Sequence, residues 1–187
     1  MSDNKVLVSS EERRKITIAD EIDNETIALS IKYLQKLIDD DDENDEKEKN
    51  YKREPIHLYI QTYGGYIYDM WGLIDVILNS KTPIYTHCQG YAMSAGFLIF
   101  IAGNKRYMTK HSTLMCHQIS SGSYGMAQKL IEDIEQIKLC KKEMEDYIVE
   151  RCPKITRNKL QEINEKKLDW YIKVDEAIRL GIAELEE

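Results

Sequence analysis

The segment Ala95-Gly-Phe-Leu-Ile-Phe-Ile-Ala102 constrains this chain more than any other feature. Read as a helix from Ser94 to Gly103, it is apolar on nearly every side, and such a helix has to be buried. Its longest apolar run, Phe97 to Ala102, falls far short of the roughly 20 residues that a membrane span needs. The helix therefore belongs inside a protein core, and other elements must cover it. At 187 residues the chain suits one domain.

The covering elements can be read from periodicity. Arg14 to Ala19 alternates as a strand. Asp23 or Asn24 can cap a helix whose apolar face is Ile27, Ile31, Leu34 and Ile38. Asp39 to Glu48 is nearly all carboxylate. Like charges packed this densely repel, so a solvated loop is expected there. Ile56 to Thr62 is a period-two strand that ends in the turn Tyr63-Gly64-Gly65. Ile67, Trp71, Ile74 and Leu78 mark an amphipathic helix. Ile84 to Cys88 is a strand broken by Gly90, and Thr113 to Cys116 is a strand that runs into His117. Ser120 to Gly125 is a polar loop or an exposed strand edge. Met126 to Arg151 is a long helix with Leu130, Ile134, Ile137, Met144 and Ile148 on one side, and Pro153 ends it. Helices over Thr156–Ile163 and Asp175–Leu180 follow, the last with Gly181 as its C-cap. Strands alternating with helices imply an α/β fold.

Composition excludes several function classes. A net charge of -7 leaves no basic footprint for nucleic acid. The N-terminus lacks the apolar stretch of a signal peptide, so a cytosolic protein is expected, with no membrane partner. Cys88, Cys116, Cys140 and Cys152 are too few and too scattered for a disulfide scaffold, and no CxxC pair suggests zinc. They read best as small buried hydrophobes. No metal or organic cofactor is implied.

A hydroxyl at the front of a buried apolar helix needs a reason. From position alone, Ser94 reads more plainly as an N-cap. The sharper reading is a nucleophile on a strand-to-helix turn, where free N–H groups and the helix dipole stabilise an oxyanion. The segment Gly90-Tyr-Ala-Met-Ser94-Ala-Gly96 is not the G-x-S-x-G elbow of α/β-hydrolases. Such a serine needs a base. His57 and His87 lie inside strands and read as packed or hydrogen-bonded, and His111 reads as solvated. His117 ends an apolar strand, and ligands of α/β folds gather beyond strand carboxyl ends. The same argument places Gly64-Gly65 near Ser94. No acid can be chosen among 33 carboxylates on this basis.

Four blocks together carry a resemblance: Gln61-Thr-Tyr-Gly64-Gly65, Gly90 to Gly96, Met115-Cys-His117-Gln118, and Asp169 with Asp175-Glu-Ala177 and Gly181. In order and spacing they resemble the ClpP-type serine peptidases, over roughly residues 13 to 187. The resemblance implies an α/β fold of the ClpP/crotonase kind, a repeated ββα superhelix with a protruding handle helix. It implies residues 1–12 as a short N-terminal segment and 13–187 as one peptidase domain with an acidic loop insertion near 39–53. It implies Ser94 as nucleophile, His117 as general base and Asp169 as orienting acid. Gly65 and Ala95 would form the oxyanion hole, and Ser120, Ser121, Gly122 and Ser123 would bind substrate by strand addition. The implied partners are polypeptide substrates, further copies in heptameric rings that can stack as a tetradecamer, and an AAA+ unfoldase of the ClpX, ClpA or ClpC type.

The chain departs from the pattern in places. Ala95 stands where Met is frequent, Ile119 where Pro is common, Ser121 where Gly is common, and Lys167-Leu168 where an Asp-Arg pair is usual. The acidic segment is an insertion of about ten residues, tolerable in a loop. These departures keep alternatives open: a stand-alone ClpP-like protease such as a phage prohead maturation protease, or a non-catalytic ring subunit. A crotonase-type acyl-CoA enzyme, which shares the fold, is a further alternative.

Overall fold

The structure is a computed structural model that describes residues 6–9, 14–122, 124–166 and 168–186. Its elements in chain order are β1 (Val6–Ser9), β2 (Lys15–Ile18), α1 (Asn24–Lys47), β3 (Ile56–Thr62), α2 (Ile67–Asn79), β4 (Ile84–Met93) and α3 (Ala95–Ala102). Then come β5 (Lys105–Met108), β6 (Thr113–Cys116), α4 (Ala127–Arg151), α5 (Arg157–Lys166), β7 (Trp170–Lys173), α6 (Val174–Leu180) and β8 (Glu184–Leu185). The sheet runs β1-β2-β3-β4-β5-β8, parallel except at β1/β2. This is the α/β architecture expected from the alternating pattern.

Every residue of α3 is buried, as its sequence demands. It packs between β4, α2 and α4. Helix carbonyls at a buried C-terminus need donors. Arg151 supplies them: its Nε donates to the Ile101 carbonyl at 2.9 Å, and its Nη2 to those of Ala102 and Gly103. Tyr147 Oη donates to the Leu98 carbonyl at 3.3 Å. The second half of α4 is thereby fastened to α3.

Gly90 does not end its strand. β4 continues through Gly90, at φ 77°, to Met93, and its register with β3 shifts between Ile60 and Thr62. Before the shift β4 lies between β3 and β5; after it, Tyr91 to Met93 pair with β6. One strand therefore serves two sheet segments, and β6 in turn pairs antiparallel with β7. The strands β1, β5, β7 and β8, of 2–4 residues each, are additional to those expected from the sequence. In α2 the buried positions are Met70, Leu73, Ile74 and Ile77, and Leu78 is exposed. The helix is thus rotated from its expected face by the packing of α3.

Several expectations hold. Asp23 caps α1, accepting from Thr26 N–H at 2.8 Å. Gly181 closes α6 in the left-handed region. All four cysteines are free and buried. His57 and His87 hydrogen-bond each other at 2.9 Å, and His87 Nδ1 contacts Glu186 Oε1 at 2.8 Å. Burial holds both imidazoles below the ordinary histidine range.

The acidic run is a correction. Residues 39–47 are not a loop but the C-terminal part of α1. Neutralisation defeats the expected repulsion. Arg14 donates to both Asp41 oxygens, at 3.2 and 2.7 Å, while Tyr51 and Thr82 hydroxyls donate to them at 2.8 and 2.6 Å. Arg53 pairs with Asp42 and Asp45 at 2.6 and 2.8 Å. Lys47 bridges Glu43 one turn back. Asp41 is fully buried and ties α1 to the start of β2 and to Thr82 ahead of β4.

Burial pushes the Asp41 carboxyl up, but the bonds from Thr82, Tyr51 and Arg14 outweigh it and hold the group below the ordinary carboxylate range. Its folded pKa lies below its unfolded one. Its contribution is therefore fully present above about pH 4 and fades as pH falls through the folded value. We expect Asp41→Asn to cost about 2–3 kcal/mol in urea unfolding at pH 7, because it leaves the Arg14 charge without its partner. The difference from wild type should shrink on acidification below about pH 4. An unchanged unfolding midpoint at pH 7 would contradict this role.

Candidate active site

The site is built at the ends of three adjacent strands. Ser94 follows β4, and its N–H donates to the Met115 carbonyl of β6 at 2.9 Å. His117 directly follows β6. In the β6/β7 ladder Cys116 lies opposite Trp170, so the next positions outward are His117 and Asp169. Sheet order alone thus brings Ser94, His117 and Asp169 side by side from positions far apart in the chain.

Ser94 is not a side-chain cap. It makes no capping hydrogen bond, and its backbone sits at φ 54°, ψ -120°. That region is costly for a residue with a Cβ, by about 1–3 kcal/mol. The geometry reverses the chain from strand to helix within one residue. It leaves Ser94 Oγ 2.8 Å from His117 Nε2. An imidazole nitrogen in that position can accept the hydroxyl proton.

The Gly64-Gly65 turn is held against this junction. Ile22 N–H donates to the Gly64 carbonyl at 2.8 Å, and Tyr66 N–H donates to the Ile22 carbonyl at 2.7 Å. This bridge engages the groups on either side of Gly65 and not the Gly65 N–H. Both glycines have positive φ, 111° and 155°. A Cβ at Gly64 would stand 2.7 Å from Ser94 Cβ, and one at Gly65 would stand 2.2 Å from the Ile22 carbonyl oxygen. Only glycine allows the turn to approach so closely.

Gly65, Ser94, Ala95, His117 and Ser120 share one cavity of about 110 Å³. Its remaining wall is largely apolar and includes Ile67, Leu98, Met144 and Ile148. Sequence reasoning placed these residues on apolar helices but assigned none of them to a site. They come from α2, α3 and α4 and meet only in three dimensions. Cys116 also lines the cavity, but burial pushes its thiol up to about 12, so it is no rival nucleophile. Asp169 is near but not bonded: His117 Nδ1 and Asp169 Oδ1 are 3.9 Å apart, and Asp169 is half exposed. Ser121 and Gly122 line an adjoining cavity, and Ser123 lies outside the described residues, as does Lys167.

The strain at Ser94 has a measurable consequence. Glycine at this position relieves it, at an unfolded-state cost of about 0.4–1 kcal/mol, whereas alanine keeps it. Ser94→Gly should therefore unfold at a higher temperature than Ser94→Ala, by about 2–4 °C for a domain of this size. Calorimetry giving the reverse order would show that the junction is relaxed.

Residues 4–185 match the Clp protease family profile. The chain is 29% identical over 175 residues, 92% of its length and 82% of the relative's, to ATP-dependent Clp protease proteolytic subunit 1 of Prochlorococcus marinus subsp. pastoris. It is 33% identical over 130 residues, 68% of its length and 64% of the relative's, to the subunit of the same name from Prochlorococcus marinus strain NATL2A. A match to ATP-dependent Clp protease proteolytic subunit 2 of a Synechococcus strain covers 68% of the chain at 30% identity. A profile match across nearly the whole chain, with a serine–histidine pair at its centre, places this chain in the Clp protease family of serine endopeptidases.

Proposed function

We propose that Ser94, His117 and Asp169 hydrolyse peptide bonds of unfolded polypeptides. The carrying observation is the 2.8 Å contact between Ser94 Oγ and His117 Nε2 beside an apolar cavity. Oγ attacks the scissile carbonyl carbon while His117 Nε2 takes its proton. The oxygen becomes an oxyanion, stabilised by the N–H groups of Gly65 and Ala95. His117 then gives the proton to the departing amine, leaving an acyl-enzyme. Water, deprotonated by the same imidazole, releases the acid and restores Ser94. Asp169 fixes the His117 tautomer once it moves about 1 Å closer, into hydrogen-bonding range. The acyl half of the substrate lies extended between the Gly65 turn and the segment Ser120–Gly122. The apolar wall favours an apolar P1 side chain.

Residues 13–187 form one peptidase domain in this reading, with 1–12 as a leading segment. Copies of the chain assemble into heptameric rings, and α4 is the handle through which two rings dock. Support comes from α4 itself. None of its residues from Ala127 to Leu139 is buried, and Ile131, Ile134 and Leu139 are each more than half exposed. An apolar stripe of this kind is unusual on a projecting helix unless another surface covers it. In this reading the chamber is cytoplasmic and is fed by an AAA+ unfoldase; among the described residues no helix is long and apolar enough to cross a membrane.

A fluorophosphonate probe should label Ser94 and no other residue. Ser94→Ala should lose at least about a thousandfold in peptide hydrolysis. Native mass spectrometry of the labelled protein should show multiples of seven chains. Cleavage at the wild-type rate by Ser94→Ala would refute the catalytic assignment. A monomer that labels and cleaves at full rate would refute the chamber and favour a stand-alone protease.

A further inference from the structure

A second cavity, about 540 Å³, adjoins the one over Ser94 and shares Gly65, Ile67, Ile119 and Ser120 with it. Its walls differ in chemistry. Tyr66 and Tyr68, at the start of α2, stand 64% and 69% exposed. Across from them α4 contributes Asp133 and Gln136, one turn apart on the same helix face. Gln136 Nε2 donates to Tyr68 Oη at 3.0 Å, so the phenol of one helix is bridged to the other across the groove. Among the described lining residues Asp133 carries the only charge. It is paired at 2.6 Å with Lys129, whose side chain is far more exposed than its own. An ion pair of that kind is screened by water and readily exchanged.

We propose that this groove is a substrate subsite that selects arginine at P3, two residues before the scissile carbonyl's own position. The proposal rests on Ser94 acting on an extended peptide, as argued above. Side chains alternate along an extended chain, so P1 and P3 point to the same side, and the shared lining sets the two cavities next to each other. A guanidinium is flat and remains charged. It stacks on tyrosine faces and meets a carboxylate with two parallel hydrogen bonds. Tyr66 and Tyr68 supply the faces and Asp133 the carboxylate, with Lys129 displaced into solvent. A glutamate at P3 would meet Asp133 with like charge.

Fluorogenic peptides with one apolar P1 and Arg, Lys, Phe or Glu at P3 test this. Arg should exceed Glu by about tenfold in kcat/KM, with Lys and Phe between them. In Asp133→Asn the Arg-to-Glu ratio should fall towards one. In Lys129→Ala the ratio should rise, because the competing cation is gone; a merely structural role for the Lys129–Asp133 pair predicts no such rise. Tyr68→Ser should lower the ratio and Tyr68→Phe should largely retain it. Equal turnover of the Arg and Glu peptides, or a preference that survives Asp133→Asn, would overturn the proposal. Binding to Ser94→Ala by fluorescence anisotropy reads the same ratio without catalysis. If the wild-type protein cleaves nothing and no probe labels Ser94, the peptidase reading fails. Equal binding of the Arg and Glu peptides would then overturn the subsite as well.

Discussion

The chain reverses from β4 into α3 at a single residue, and most of the site depends on how that reversal is held. Ser94 occupies φ 54°, ψ -120°, a conformation a serine does not adopt unaided. The surroundings over-determine it. Behind it lies a helix whose every residue is buried, so α3 cannot rotate to relax the turn without exposing apolar surface. Ahead of it, the Ser94 N–H is fixed on the Met115 carbonyl. Beside it, the Gly64-Gly65 turn packs at a distance that excludes a Cβ. With the backbone locked, the side chain is not used for capping and is left facing His117.

The histidine and the acid arrive by a different route. Their positions follow from strand neighbourhood, not from local sequence. β4 changes partners at the register shift, so its last residues lie against β6, and β6 lies against β7. The hydroxyl and the imidazole are therefore set by ladder hydrogen bonds on rigid strands, which hold positions closely. Asp169 sits one step outside its strand, and its looser 3.9 Å separation from His117 fits that location.

Two surfaces contradict simple expectations for opposite reasons. The densest acidic stretch of the sequence is helical, because Arg14, Arg53 and Lys47 meet its carboxylates and bury one of them. No window of the chain contains all these partners: Arg14 is 27 residues from Asp41, and Thr82 is 41. Conversely, Ile131, Ile134 and Leu139 in the first half of α4 stand more than half exposed among the described residues. Periodicity identified the helix and, of these three residues, only Ile134.

The sequence by itself determined that an apolar helix had to be buried in an α/β core, that Ile56–Thr62 and Thr113–Cys116 are strands, that Asp23 or Asn24 caps the first helix, and that Gly181 closes the last. These are local properties, written in period and capping chemistry. Through motif order it also singled out Ser94, His117 and the glycine turn. Only the tertiary structure decided that Ser94 is strained and bonded to His117 and not a side-chain cap, that Gly90 bends β4 without ending it, and that the acidic segment is helix. It alone revealed the tyrosine-walled groove beside the site. Each of these depends on contacts between residues tens of positions apart, and such contacts leave no periodic trace in the chain.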